Sequence, residues 1–214
     1  MKNRILVTAS FLFITLLNGC ATTVEEPEVS MKAIQPLALE QRKTMAVMPY
    51  DFKDNNSDYE GLENGLVDLT IDAFFETQRF LLVERSRLQS IIDELKYNAS
   101  GMVASQDALK IGEHAGAQYV FAGAVTSINP IANKKSLGIA YIDTRGFEVT
   151  IQGRIIDIER GLVVASATAR GIEQHTKKFA MGATTGDIGS DTTLIRQAFD
   201  KAVKYLTNDL ASQL

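Results

Sequence analysis

The sequence predicts an α/β (α+β) fold, a mixed β-sheet covered by three or four helices. Three observations carry that prediction. Up to residue 126, short apolar runs bounded by turn residues alternate with segments of helical spacing. Between residues 147 and 169 the pattern changes to long period-two alternation, and an amphipathic stretch closes the chain. Strands mixed with helices in this order pack as helices on a sheet.

The first strand is predicted over residues 44–49, where Met45, Val47 and Met48 are stopped by Pro49. Residues 51–60 are rich in Asp and Asn and read as a loop. Leu62, Leu66, Leu69, Ala73, Phe74 and Phe75 recur at helical spacing and predict the first helix. Residues 80–83 predict a second buried strand. Ser86 and Gln89 have the spacing of a capping box, in which the serine oxygen accepts from an orphan amide and the glutamine reaches back. Leu88, Ile91, Ile92 and Leu95 line the helix that follows. Ser105 is placed to cap a third helix carrying Ala108, Ile111 and Ala115, with Gly116 at its end. Residues 119–126 predict a third strand.

Phe147, Val149, Ile151, Gly153 and Ile155 share one parity, whereas Ile156 and Ile158 take the other. A bulge within residues 153–156 accounts for that switch. Glu159-Arg160-Gly161 predicts a tight turn, with residues 162–169 returning as a hairpin partner. The last helix, over residues 193–210, presents Leu194, Ala198, Ala202, Tyr205 and Leu206 to the core. The predicted order is β-α-β-α-α-β-β-β-α.

The N-terminus carries a different message. Lys2 and Arg4 precede an apolar run of 13 residues, 5–17, and Leu17-Asn18-Gly19-Cys20 ends it. That is the basic, apolar and small-residue order of a secretory signal, and the run is short of the roughly 20 residues of a spanning helix. Leu-x-Gly-Cys resembles the lipobox of bacterial lipoproteins, in which the cysteine is acylated and becomes the new N-terminus. Cys20 is the sole cysteine of the chain. The lipobox rule that an aspartate after the cysteine retains a lipoprotein in the inner membrane meets Ala21 here, which implies the outer membrane. One acyl chain binds marginally, and stable anchoring takes more than one; mature lipoproteins of this type carry three. Residues 1–19 are thus read as signal peptide, 20–43 as acylated Cys20 with a flexible tether, and 44–214 as one folded domain.

Removing residues 1–19 leaves 195 residues with 20 basic and 26 acidic side chains, a net charge of about −6. That balance argues against nucleic acid, which needs a basic face, and against charge-driven binding to anionic headgroups. With no second thiol, no intrachain disulfide forms, and stability rests on packing.

The blocks MAVMPYDFKDN, GLVDLTIDAFFETQRFLLVERSRLQSIIDEL, NASGMVASQDALKIGEHAGAQYVFAGAVTSI and VTIQGRIIDIERGLVVASATARG fill most of residues 45–171. Together, and behind a lipobox, they resemble the CsgG/HfaB family of outer-membrane lipoproteins, whose namesake is the curli secretion channel. The resemblance implies a CsgG-like periplasmic domain, a homo-oligomeric ring, and envelope or secretion proteins as partners. In the curli channel the stretch corresponding to residues 51–60 forms the pore constriction with aromatic and asparagine side chains. Tyr50, Phe52, Asn55, Asn56 and Tyr59 supply similar types here in a shorter loop, and are the candidate partner-binding residues. A solvated loop with one or two aromatics folded onto the core is the competing reading.

The channel also inserts two β-hairpins per subunit, and residues 129–146 and 171–191 are placed to correspond. The first contains Pro130, Asn133, Lys134 and Lys135, leaving residues 137–142 as its plausible strand. The second carries Glu173, Lys177, Lys178 and Asp187, and only Phe179, Met181 and Ala183 alternate cleanly. A spanning strand needs about 9–11 residues with an apolar lipid face. Both segments read as too short and too charged, so a periplasmic, non-spanning member is expected.

No catalytic, metal or cofactor site is expected. His114 and His175 lie 61 residues apart without a metal-binding spacing. Gly182, Gly186 and Gly189 lack the Lys-Ser/Thr of a phosphate loop. No Gly-x-Ser-x-Gly element exists. Glu84 and Arg85 read as an ion pair or cap rather than a catalytic pair. The leading reading is a non-enzymatic lipoprotein serving assembly or secretion of a surface structure, with no nucleic-acid or small-molecule substrate. The alternative is a monomeric regulator resembling the LpoB type, which activates peptidoglycan synthases; an envelope hydrolase is a third. The LpoB type carries a long proline-rich segment, whereas this chain has 4 prolines.

Overall fold

The computed structural model describes residues 30–53, 62–94 and 105–214. In chain order the elements are β1 (Lys43–Val47), β2 (Asp51–Phe52), α1 (Leu62–Glu76), β3 (Phe80–Leu82), α2 (Arg85–Glu94), α3 (Ser105–His114), β4 (Tyr119–Leu137), β5 (Ala140–Asp157), β6 (Leu162–Ala180), β7 (Ala183–Thr185) and α4 (Asp191–Ala211). The sheet runs β3-β1-β4-β5-β6-β7, with β2 also pairing β4. The pairings of β1 with β3 and β4 are parallel, and β4 through β7 are antiparallel. The expected mixed sheet with helical cover is what the chain forms.

β1 is apolar at every position from Met45 to Met48 because both of its faces are covered. Met45 and Val47 join one cluster with Phe74 of α1, Phe121 of β4 and Leu206 of α4. Ala46 and Met48 join a second with Leu88 and Ile92 of α2 and Ile111 of α3. Helices α1 and α4 therefore cover one face, and α2 and α3 the other. Phe75, expected in the core, is 68% exposed. Adjacent helical positions diverge by about 100°, so burying Phe74 turns Phe75 outward.

Gly171 lets α4 approach β6. A Cβ there would lie 2.0 Å from the Ala198 carbonyl oxygen and 2.6 Å from the Ala202 nitrogen. Helix α3 ends on Gly116 at φ +70°, with Gly116 N donating to Glu113 O and Ala117 N to Gly112 O, a Schellman closure. The bulge falls where β5 meets β6, between Ile155 and Ile156. Ser190 caps α4 by accepting from Thr193 N at 3.2 Å.

Three expectations are corrected. Helix α2 is capped two residues earlier than the capping box predicts: Glu84 Oε2 accepts from Arg87 N at 3.2 Å and from the Ser86 hydroxyl. Gln89 bonds Asp93 at 3.0 Å instead of reaching back. Residues 30–42, expected as free tether, lie against the domain. Lys32 N donates to Asn208 Oδ1 at 2.8 Å, Asn208 Nδ2 returns to Lys32 O at 3.0 Å, and Arg79 reaches Gln35 O at 3.0 Å. Hydrogen bonds and the one apolar side chain packed on the core, Ile34, hold this segment, and these leave no hydrophobic period to read.

The third correction concerns the two hairpin segments. β4 and β5 pair without interruption from Asn129 opposite Glu148 to Leu137 opposite Ala140. Residues 137–142, expected as a strand, are the turn and the strand ends beside it. Gly138 at φ +58° opens a two-residue loop of the kind that joins hairpins, with Gly at its first central position. Pro130 is accommodated because β4 past Val125 is an edge strand among the described residues. β6 likewise continues to Ala180 and turns at Met181 and Gly182, both at positive φ, into β7.

Candidate partner-binding surface

Tyr50 faces the core. Its ring packs against Phe121 at 5.7 Å and fills the space that Gly123 leaves without a side chain. Its hydroxyl lies 2.8 Å from Thr70 Oγ1, and Thr70 donates to Leu66 O at 2.8 Å. Burial pushes the Tyr50 phenol far up, against a smaller opposite effect of the Thr70 bond. Phe52 is half-buried against the same core, and Asp51 and Phe52 are tied to β4 opposite Ala124 and Val125. Asn55, Asn56 and Tyr59 lie outside the described residues, as does Cys20. Of the five candidate residues, the two in view pack on the core, Tyr50 buried and Phe52 half-buried.

The other singled-out groups are dispersed. His114 Nδ1 lies 2.8 Å from Lys110 O within α3. His175, on β6, is 3.1 Å from Glu173, which also pairs with Lys201 of α4 at 3.0 Å. Glu84 is the cap already described, and its hydrogen bonds to Ser86 hold its carboxyl below the usual range. Arg85 turns away from it to bridge both Asp68 oxygens at 2.7 Å. Among the described residues no group of three His, Cys, Asp or Glu is placed to hold a metal ion. No helix among them is long and apolar enough to cross a membrane, which says nothing of strands.

What the sequence reading missed is an arm. Past Ile128 on β4, Phe147 on β5 and Ile172 on β6, the three strands run on as a ribbon that is exposed on β4 and half-buried along much of β5 and β6. β4 contributes nine residues beyond Ile128, about 30 Å of strand. One face continues the helix-covered side and carries Lys134, Asp143, Arg145, His175 and Lys177. The opposite face carries Asn133, Lys135, Thr144, Thr176 and Lys178, with the Thr144 and Thr176 hydroxyls 2.9 Å apart. Among the described residues, no strand pairs with the outer edge of β4 past Val125 or of β6 from Leu162 to Lys177, although the Gln213 side chain bonds Ser166 N and O and Lys201 bonds Ile172 O on β6. Such edges are ready templates for another strand. The available signal was the Leu137-Gly138-Ile139-Ala140 loop, a hairpin turn inside a polar stretch.

A mixed sheet of this order, covered by four helices and extended into a strand arm, defines the class: an α+β domain. The family model described as curli production assembly/transport component CsgG matches residues 28–214, and the chain belongs to that family. Membership places it among envelope-associated proteins. Among curated proteins none is similar to it at a significant level. Solved structures that are similar in outline include the LpoB C-terminal domain from Salmonella enterica, at 16% identity over 60% of this chain and 81% of that one, TM-score 0.43. The PelC dodecamer from Paraburkholderia phytofirmans is 14% identical over 82% and 95%, TM-score 0.38. Lipoprotein GNA1162 from Neisseria meningitidis is 15% identical over 72% and 90%, TM-score 0.36.

Proposed function

We propose that this chain is a non-enzymatic lipoprotein, anchored through Cys20 to the periplasmic face of the outer membrane. It serves assembly or secretion of a surface structure by self-association or by docking on an envelope machine. The observation that carries the reading is the family match over residues 28–214. The arm supports it physically, because the β4 edge past Val125 has no strand partner among the described residues and can let a copy or partner join by backbone hydrogen bonds.

The arm does not cross the bilayer in this reading. Its length alone would suffice, since a spanning strand needs about 9–11 residues. Its faces do not fit, because each carries lysine, and a lysine on the lipid side at mid-bilayer costs about 2–4 kcal/mol. The docked residues 30–42 also leave little free chain, which disfavours a regulator that reaches far across the periplasm.

The test is the mass of detergent-extracted wild-type protein by light scattering. Several protomers in one closed particle support the reading. A monomer at all concentrations removes the self-association half of it and leaves only docking.

A further inference from the structure

The chain enters the fold through a clasp. From Ser30 it crosses the last turns of α4, passes the end of α1 and reaches β1 after a short turn at Leu39–Gln41. Asn208 grips it with both amide atoms: Oδ1 accepts from Lys32 N at 2.8 Å, and Nδ2 donates to Lys32 O at 3.0 Å. The Lys32 ammonium donates to Asp209 and, at 3.3 Å, to the Ser212 hydroxyl. Farther along, Arg79 donates to Gln35 O at 3.0 Å, and Leu37 N donates to Gln78 O at 3.1 Å.

These are contacts that water replaces. Every bond to Lys32 is exposed, Met31 stays 53% exposed, and Ile34 packs on the core only half-buried. Open grooves of about 360 Å³ and 230 Å³ run along its two sides, meeting at Met31, Lys32 and Asn208. An exposed ion pair contributes little, while each ordered residue gives up backbone entropy. A segment held by exposed hydrogen bonds with few buried apolar contacts opens long before its domain unfolds. The strand it leads into is its opposite, since Met45 to Met48 are fully enclosed.

We propose that residues 30–37 are a releasable clasp that gives the domain two lengths of tether. Clasped, the span from Cys20 to Ser30 is ten residues and reaches at most about 36 Å. Released, the span from Cys20 to Lys43 is 23 residues and reaches at most about 83 Å. As a coil the released span averages only about 26 Å, so a regulator reaching far across the periplasm stays disfavoured. Clasping also fixes the side of the domain nearest the anchor, because Ser30 leaves the fold beside Arg170 and Tyr205. Release lets the domain stand off and turn. This use of the clasp rests on the reading of Cys20 as the lipid anchor.

Hydrogen exchange on the full lipidated protein reads the clasp itself. Leu37 N is the reporter, because its bond goes to Gln78 O and not to Asn208. In wild type it should exchange several-fold slower than open chain and far faster than the amides of β1. Asn208→Ala and, through a different contact, Ile34→Ala should each speed Leu37 several-fold and leave β1 unchanged. Leu37 exchange as slow as β1 in wild type and unmoved in both variants overturns the clasp. So does open-chain exchange of Leu37 in wild type. Tether length is read by energy transfer from a dye on Gln197→Cys, exposed on α4, to acceptor headgroups in vesicles. Transfer should fall in Asn208→Ala. Faster Leu37 exchange with unchanged transfer overturns the two lengths. Wild-type protein that does not float with the vesicles overturns the Cys20 reading and the tether with it, while the exchange result still decides the clasp.

Discussion

The Tyr50 hydroxyl meets Thr70 Oγ1 at 2.8 Å inside the core, tying the end of β1 to the middle of α1. Thr70 is itself bonded to the Leu66 carbonyl, so the pair closes a short polar chain in an otherwise apolar layer. Tyr50→Phe removes one neutral hydrogen bond and should lower stability by about 1 kcal/mol. Tyr50→Ala should cost about 3–5 kcal/mol, because it also empties the space over Gly123. Urea denaturation reads both, and particle mass should not change in the Phe variant. Loss of assembly with unchanged stability would return Tyr50 to the partner surface.

Gly171 is the close approach between β6 and α4. Gly171→Ala places a methyl against backbone rather than against a side chain that can rotate, and overpacking of this kind costs about 1–3 kcal/mol. A melting temperature equal to wild type would show that α4 sits farther from the sheet.

Asp157 accepts from the Arg160 guanidinium at 2.7 Å and from Arg160 N at 2.9 Å, holding the turn before β6. The Arg160 side chain, first, and its backbone amide hold the Asp157 carboxyl below its ordinary value. A depressed carboxylate stabilises the fold above the unfolded value of about 3.9, and that contribution is lost as pH falls through the lower folded value. Stability of wild type should therefore drop on acidification below about pH 4, and Asp157→Asn should make that limb shallower. An unchanged limb in Asp157→Asn would remove Asp157 from the acid response.

Joint substitution of His114→Ala, His175→Ala and Glu84→Gln should preserve cellular function, since the three groups are dispersed over α3, β6 and the start of α2. Glu84→Ala should lower stability as a lost cap. Complete loss of function in the triple variant with an intact fold would point to chemistry.

Cys20→Ala should move the protein out of the outer-membrane fraction, as soluble or unprocessed chain. Wild-type fractionation of that variant would end the anchoring account.

The centre of the fold was legible because its elements carry their own periods. β1, α1 and the buried stretch of β5 read directly from Met45, Leu66, Phe74, Val149 and Ile151. The arm was not legible, because a ribbon exposed on both faces has no reason to alternate apolar and polar residues. Its strands are set by the Gly138 turn and by pairing continued from the core. Residues 30–42 escaped for a related cause, being held by Asn208 and Arg79 through backbone atoms that any residue provides. Glu84, read as an ion pair or cap, is the cap of α2; the capping box placed Ser86 there because glutamate is an uncommon residue at that position. Tyr50 was misplaced because a tyrosine beside a polar loop gives no sign that Gly123 and Thr70 receive it inside.

The central claim, a CsgG-family lipoprotein whose arm works outside the bilayer core, is tested most directly by planar-bilayer recording of the purified lipidated protein. The charged faces of the arm predict no stable single-channel conductance at any protein concentration. Reproducible unitary conductance steps would contradict that claim and show that the strands close a pore.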